Sequence, residues 1–335
     1  MRVLVTGGAG YIGSAVADLL SARDHAVTVL DNLIKGHRGA VPAQAEFVLA
    51  DTGDEAALQP IFASGRFDAV MHFAAFIEAG ESMLQPEKYF DNNSARTLTL
   101  LRAVLKYRVH RFVFSSTAAV YGEPRQIPIQ EDDPLQPTNF YGDSKLMVER
   151  MLAAFHAAHG LRYASLRYFN AAGATTGRGE AHHPETHLIP LLLQVALGQR
   201  PGISIYGTDY PTKDGTCIRD YIHVGDLATA HLLALEGLEK HSQLICNLGS
   251  GSGFSVREII EVARKATGHP IPAVEAPRRA GDPAVLVASS EKIRRLLGWN
   301  PQCSDIETII RTAWEWHRSH PHGYEGPQGQ SARGA

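Results

Sequence analysis

The 335-residue sequence holds only three cysteines, Cys217, Cys246 and Cys303, and they are widely spaced. That excludes a disulfide framework and a thiolate metal pattern, and it points to a reducing, cytoplasmic setting. No run of 18 apolar residues occurs, which excludes a helical membrane span. There is no excess of basic residues: 32 Lys and Arg face 35 Asp and Glu, so no footprint for nucleic acid is expected. Met1-Arg2-Val3 opens directly into a strand-like run, and no signal peptide is expected. There is no internal repeat. Apolar residues, by contrast, make up 44%, enough for a sizeable core, and the length suits roughly two domains.

The N-terminus carries the first motif. Arg2-Val3-Leu4-Val5-Thr6 reads as a buried strand, followed at once by Gly7-Gly8-Ala9-Gly10-Tyr11-Ile12-Gly13 and a helix over Ser14–Arg23. Gly7, Gly10 and Gly13 let the backbone turn tightly and approach a pyrophosphate at a helix N-terminus. A second strand, Val27–Leu30, ends at Asp31, 18 residues after Gly13, where an acid hydrogen-bonds an adenosine ribose. A carboxylate there repels a 2′-phosphate, so NAD is expected rather than NADP; Lys35 and Arg38 nearby argue the other way.

The second motif is Tyr141-Gly142-Asp143-Ser144-Lys145, with Thr117 lying 24 positions earlier. Tyr141 and Lys145 share one face of a helix. A phenol titrates near ~10, and a neighbouring ammonium is expected to lower that value. With the Thr117 hydroxyl, this forms a proton-transfer device for an alcohol or ketone.

Further strand-like runs at Glu46–Leu49, Asp68–Phe73, Arg111–Phe114 and Tyr163–Arg167 alternate with helical stretches. The pattern predicts an α/β fold: a Rossmann-type doubly wound parallel sheet with a smaller, discontinuous α/β substrate domain. Residues 1–170, with a returning helix over Val224–Leu238 and strand over Gln243–Gly249, form the nucleotide domain; 171–223 and 250–320 form the substrate domain. The Gly/Pro-rich 321–335 is expected to be a mobile tail. Long helices are expected over Pro86–Tyr107 and Asn139–His159, and their exposed faces could pair two copies into a homodimer. His182, His183 and His187 invite a metal reading, but Pro184 breaks any helical ligand face, so no metal is expected.

Taken together, these residues resemble the extended branch of the short-chain dehydrogenase/reductase superfamily and, within it, the UDP-hexose 4-epimerases. The resemblance rests further on His72-Phe73-Ala74-Ala75, Gly80-Glu81-Ser82, Asp91-Asn92-Asn93, Ser115-Ser116-Thr117-Ala118-Ala119-Val120-Tyr121-Gly122, Leu166-Arg167-Tyr168-Phe169-Asn170, Asp214–Val224 and Arg278-Arg279-Ala280-Gly281-Asp282. It implies interconversion of UDP-glucose and UDP-galactose through a 4-keto sugar, with NAD retained. Tyr11, Ile12, Asp31, Asn32, Asp51, Thr52, Phe73, Ala74, Ala75, Asn92, Lys145 and Phe169 would line the NAD site. Thr117 and Tyr141 would flank the sugar, and Asn170, His187 and Leu188 would meet the sugar nucleotide. Tyr206 would stack near the uracil, Arg219 and Arg279 would hold the diphosphate, and Asp282 would bond the uridine ribose.

The chain departs from the family pattern in places. Thr117 replaces a common serine, His187 a common asparagine, and Ile77 a lysine found in some members. Leu286 stands where members restricted to glucose and galactose carry tyrosine; the space beside carbon 2 implies that N-acetylated UDP-sugars are also accepted. Ala118 and Ala119 occupy the positions of the acidic pair of sugar-nucleotide 4,6-dehydratases. Two alternatives remain open: a sister enzyme acting on a UDP-uronate or UDP-pentose, and a nucleotide-sensing protein without chemistry.

Overall fold

The computed structural model describes residues 1–279 and 282–324. The chain begins with strands β1 (Arg2–Thr6), β2 (Ala26–Asp31), β3 (Glu46–Leu49), β4 (Ala69–His72), β5 (Arg111–Thr117) and β6 (Arg162–Tyr168). Short strands β7 (Asn170–Ala172), β8 (Ile203–Tyr206) and β9 (Ile218–His223) follow. The chain then returns to the first sheet through the helix Val224–Gly237 and β10 (Gln243–Leu248). It ends with β11 (Gly253–Ser255), β12 (Ala273–Ala276) and β13 (Val285–Leu286) among helices.

The main sheet has seven strands in the order β10-β6-β5-β4-β1-β2-β3, all parallel. Its strands are covered on both faces, which is why Val3, Leu4 and Val5 are all fully buried rather than alternating. The strand order reverses beside β1, between β2 and β4, and ligands bind such sheets in the crevice outside that point. A separate apolar core joins Leu192, Leu193, Ile203, Ile259, Ile260, Ile309, Ile310 and Trp314 beneath the smaller sheets. No helix of the described residues is long and apolar enough to cross a membrane.

Three local differences have physical causes. The first helix starts at Tyr11, not Ser14, because Gly10 is its N-cap and the glycine loop forms its first turn. The helix expected over Pro86–Tyr107 is interrupted by a π turn over Phe90–Ala95. That wider turn leaves Asn93 free to clamp the next loop: its side chain accepts from Phe76 N (2.9 Å) and donates to Phe76 O and Ser144 Oγ (3.0 Å each). The third difference is at the chain's end: Pro321–Tyr324, expected to be mobile, is packed down. The Tyr324 hydroxyl donates to Gly179 O and accepts from Gly179 N, both at 3.0 Å. Residues 325–335 of the expected tail lie outside the described residues.

The helix Phe140–His159 starts where the Asn139 side chain accepts from Gly142 N, and it stops at Gly160, whose φ of 72° suits glycine. Its position on the sheet is fixed by a buried bidentate pair. Arg167 Nη2 and Nε donate to the two carboxylate oxygens of Glu149 at 2.6 and 3.0 Å. Ser116 donates to the same carboxylate, and Arg167 Nη1 donates to the Tyr121 hydroxyl, which donates to Asn247. Removing one partner leaves a buried uncompensated charge. Glu149→Leu should therefore cost about 3–5 kcal/mol. Urea unfolding should show the double variant Glu149→Leu/Arg167→Leu losing less than Glu149→Leu alone.

Candidate functional site

The glycine loop is shaped by contact. Gly7 has φ of 71°, and a Cβ there would lie 2.4 Å from Ala74 N; a Cβ on Gly13 would lie 2.3 Å from Gly7 O. The loop therefore folds back on itself and lines, with Gly7, Gly10, Tyr11, Ile12 and Gly13, a cleft at the carboxyl ends of β1, β2, β4, β5 and β6. Asp31 is enclosed at the end of β2, accepting from Ala9 N (3.0 Å) and Leu33 N (2.8 Å). Burial raises its carboxyl above the usual value, against those two amides.

Most of the residues named from sequence converge on this cleft. Gly7, Gly10, Tyr11, Ile12, Gly13, Asp31, Asn32, Asp51, Thr52, Phe73, Ala74, Ala75 and Asn92 line it, with Thr117, Tyr141, Lys145, Phe169, Asn170 and His187. Such a lining fits a dinucleotide: a side-chain-free loop at a helix N-terminus for a pyrophosphate, and an acid at the end of β2 for a ribose. Of the two cations that argued for NADP, Lys35 lines the cleft but is already ion-paired there, and Arg38 lies over an aromatic ring. Lys35 pairs with Glu78 at 2.6 Å and donates to His183 O, while Arg38 stacks 4.4 Å over the Phe47 ring.

At the floor of the cleft, Lys145 is buried, donates to Ser115 O at 2.9 Å and lies 4.9 Å over the Phe114 ring. Burial pushes its ammonium down to about 7. Burial also pushes the Tyr141 phenol up to about 12; a hydrogen bond with Thr117 offsets part of this, and the Glu78 charge adds to it. This corrects the sequence reading, in which the lysine charge lowers the phenol's pKa. In the folded chain desolvation by burial is the largest influence on both groups and favours the neutral form of each.

A second group lies apart from the cleft lining. Tyr206 ends β8 with the Arg279 guanidinium 4.1 Å over its ring. Arg219, on β9, is ion-paired with Asp282. Leu286, on β13, stands opposite Arg219 in parallel register and packs against the Val120, Tyr121, Ile129 and Leu146 cluster. Leu188 opens the helix Leu188–Ala196. The mutual pairing of Arg219 and Asp282 was not legible in sequence, because 62 residues of chain separate them.

Several cleft residues escaped the sequence reading: Ile34, Gly36, Phe76, Glu78, Tyr168 and Glu180. Tyr168 ends β6, so the strand-end rule could have found it. Arg96 also escaped, although it holds Asp51 at 2.6 Å and thereby orients the acid that accepts from Asn32 (2.8 Å).

A parallel sheet with a glycine loop, an acid after β2 and a Thr–Tyr–Lys group in one cleft defines an enzyme that uses a dinucleotide to act on a hydroxyl or carbonyl. Residues 3–249 match the NAD dependent epimerase/dehydratase family. The UDP-glucose 4-epimerase of Halalkalibacterium halodurans is 57% identical over 327 residues, which span 97% of this chain and 98% of that one. A crystal structure of a UDP-glucose 4-epimerase superimposes with a TM-score of 0.94 at 51% identity, covering 97% and 99% of the two chains. That of Brucella ovis UDP-glucose 4-epimerase in complex with NAD superimposes with a TM-score of 0.91 at 46% identity, covering 96% and 98%. The chain belongs to the NAD dependent epimerase/dehydratase family.

The buried lysine has a measurable consequence. Its folded pKa of about 7 lies below its ordinary 10.5, so the stability it contributes is present above pH 10.5 and is lost as pH falls toward 7. In nucleotide-stripped protein, urea unfolding between pH 10 and 7 should show a smaller decline for Lys145→Met than for the wild type.

Proposed function

We propose that this enzyme interconverts UDP-glucose and UDP-galactose by inverting carbon 4 of the sugar. The observation that carries the reading is that Thr117, Tyr141 and Lys145 open on the same cleft as Gly7, Gly13 and Asp31. When bound, NAD supplies a cationic ring that favours the Tyr141 phenolate and the hydride acceptor and donor by which carbon 4 passes to a ketone and back. Gly7, Gly10, Tyr11, Ile12 and Gly13 would hold its pyrophosphate side. Asp31, Asn32, Asp51 and Thr52 would hold its adenosine side, and Phe73, Ala74, Ala75, Asn92 and Phe169 would wall the cleft.

Tyr141 takes the proton of the sugar's 4-hydroxyl and later returns one. Thr117 bonds the same oxygen, and Lys145 orients the pair from beneath. Asn170, His187 and Leu188 would contact the sugar nucleotide. Arg219, Arg279, Tyr206 and Asp282 would anchor the UDP end, which must stay in place while the sugar turns over. Guanidinium groups suit this because they match phosphate oxygens in bidentate geometry. For Arg219 and Asp282 the proposal requires their ion pair to open toward the ligand.

We also read the division into a nucleotide domain (1–170 with 224–249) and a substrate domain (171–223 with 250–320) as the working architecture. A homodimer through 86–107 and 139–159 is part of this reading, supported by Met147, exposed on the second helix, and by nearby Met83 and Leu84. The three unpaired cysteines support a cytoplasmic setting.

A coupled assay with UDP-galactose and no added NAD should yield UDP-glucose, testing activity and cofactor retention together. No product, even with NAD supplied, would transfer the reading to a sister substrate such as a UDP-uronate. Tyr141→Phe should lower kcat by roughly 10²–10⁴-fold, the usual worth of a positioned acid–base group, while its NAD content is unchanged. For N-acetylated sugars, Leu286→Tyr should reduce kcat/KM for UDP-GlcNAc by at least about tenfold relative to UDP-galactose. An equal effect on both substrates would remove Leu286 as the determinant.

A further inference from the structure

The segment between β7 and the helix Leu188–Ala196 folds four metal-ligand side chains toward one point. Glu180, His182, Glu185 and His187 each offer one ligand atom, and these atoms all lie within 4.8 Å of one another. His182 Nδ1 and His187 Nδ1 both lie 3.0 Å from Glu180 Oε1, and His187 Nδ1 lies 2.8 Å from Glu185 Oε1. The two carboxylates are nearly inaccessible, with side-chain exposures of 6% and 4%. Among the described residues no Lys or Arg pairs with either one: the one nearby ammonium, Lys35, is held by Glu78 and the His183 carbonyl.

Glu185 Oε1 accepts from Thr186 N and His187 N, both at 2.7 Å, so the loop backbone already holds that carboxylate in place. A neutral imidazole carries one N–H, yet His187 Nδ1 faces carboxylate oxygens of both Glu180 and Glu185. Two buried carboxylates side by side need a compensating positive charge, which either a protonated imidazole or a bound cation supplies. We propose that Glu180, His182, Glu185 and His187 form a binding site for one divalent transition-metal ion, of which Zn²⁺ best suits two imidazoles and two carboxylates. Ligands at about 2.0 Å around a tetrahedral ion stand roughly 3.3 Å apart, so the three short contacts open by only a few tenths of an ångström. Pro184 rules out a helical ligand face but not this one, because the ligands come from a folded loop.

The site is structural in type, since four side chains leave no open position. Glu180, His182 and His187 also line the nucleotide cleft, and His187 is the N-cap of the helix Leu188–Ala196. The neighbouring backbone is tied to the nucleotide side by His37 Nε2 at 2.7 Å from Ala181 O. An ion at this point would pin the loop as a wall of the cleft and set the position of His187.

The test reads metal directly, so its outcome is independent of turnover. Purified NAD-loaded protein is treated with chelator, dialysed and titrated with ZnCl₂, with bound metal counted by mass spectrometry. One equivalent of Zn²⁺ per chain is expected, with uptake weakened at least about tenfold in Glu180→Gln and in His182→Gln. Wild-type protein that takes up no Zn²⁺, or folded variants that take up as much as wild type, would overturn the site. If neither variant folds, Co²⁺ on the wild type decides: intensified visible bands support the His/Glu site, and the spectrum of the aqueous ion overturns it.

Discussion

The Glu149–Arg167 pair sets the frame on which the cleft depends. It joins the middle of the helix Phe140–His159 to β6, and through Ser116 it reaches the end of β5. The helix carries Tyr141 and Lys145, β5 carries Thr117, and β6 leads directly into Phe169 and Asn170. A helix docked by apolar contacts alone could slide or rotate by a fraction of a turn at modest cost. A bidentate ion pair with its remaining donors satisfied admits one register, and a shift would leave two charges buried without partners. The same arginine reaches the Tyr121 hydroxyl and the Glu131 carbonyl, so the loops that follow β5 are fixed by the same group.

Within that frame the proton-transfer residues are held in a state of electrostatic tension. Desolvation acts on both Tyr141 and Lys145, and it moves them in opposite directions, toward a neutral phenol and a neutral amine. A base that became a phenolate without its ligands would be reactive in the wrong context. A site whose charge arrives with the dinucleotide makes the base available when the oxidant is in place. On the proposed reading, retention of the dinucleotide and competence of Tyr141 would be two aspects of one arrangement. Thr117 contributes by a hydrogen bond whose strength does not depend on ionisation of the lysine.

How much of this could be read from the chain follows from the range of each interaction. The glycine loop, Asp31, and the Tyr141–Lys145 spacing are local signals, each set by a few consecutive residues, and the cleft assembles where they indicate. Strand-end positions such as Asp51, Phe73 and Thr117 were legible because a parallel sheet places every carboxyl end at one edge. Pairings across long stretches of chain were not: Arg96 with Asp51, Arg219 with Asp282 and Lys35 with Glu78 unite residues on separate elements. The π turn at Phe90–Ala95 escaped because a one-residue widening leaves the helical periodicity of the surrounding sequence nearly unchanged. The sign of the Tyr141 shift escaped because burial is a property of the fold, not of the neighbours in sequence.

On the cleft side, polar contacts join the two halves of the chain, beside apolar ones such as Leu286 against Val120 and Tyr121. Tyr11, on the first turn of the helix that follows the glycine loop, donates to Gly173 O at 2.6 Å. Lys35 reaches both Glu78 and His183 O, and His37 reaches Ala181 O. Each of these residues links the nucleotide side to the single segment 173–187, which also supplies His187 to the cleft wall. That segment has little apolar surface of its own, so much of its conformation is set by polar bonds. The glycine loop can be rigid because its geometry is steric. The opposite wall is held by contact at Gly173 and Gly179, where a Cβ would meet the His223 and Trp316 rings at 2.5 and 2.2 Å, and between them it depends on polar bonds. An ion held by Glu180, His182, Glu185 and His187 would add a fixed point just beyond.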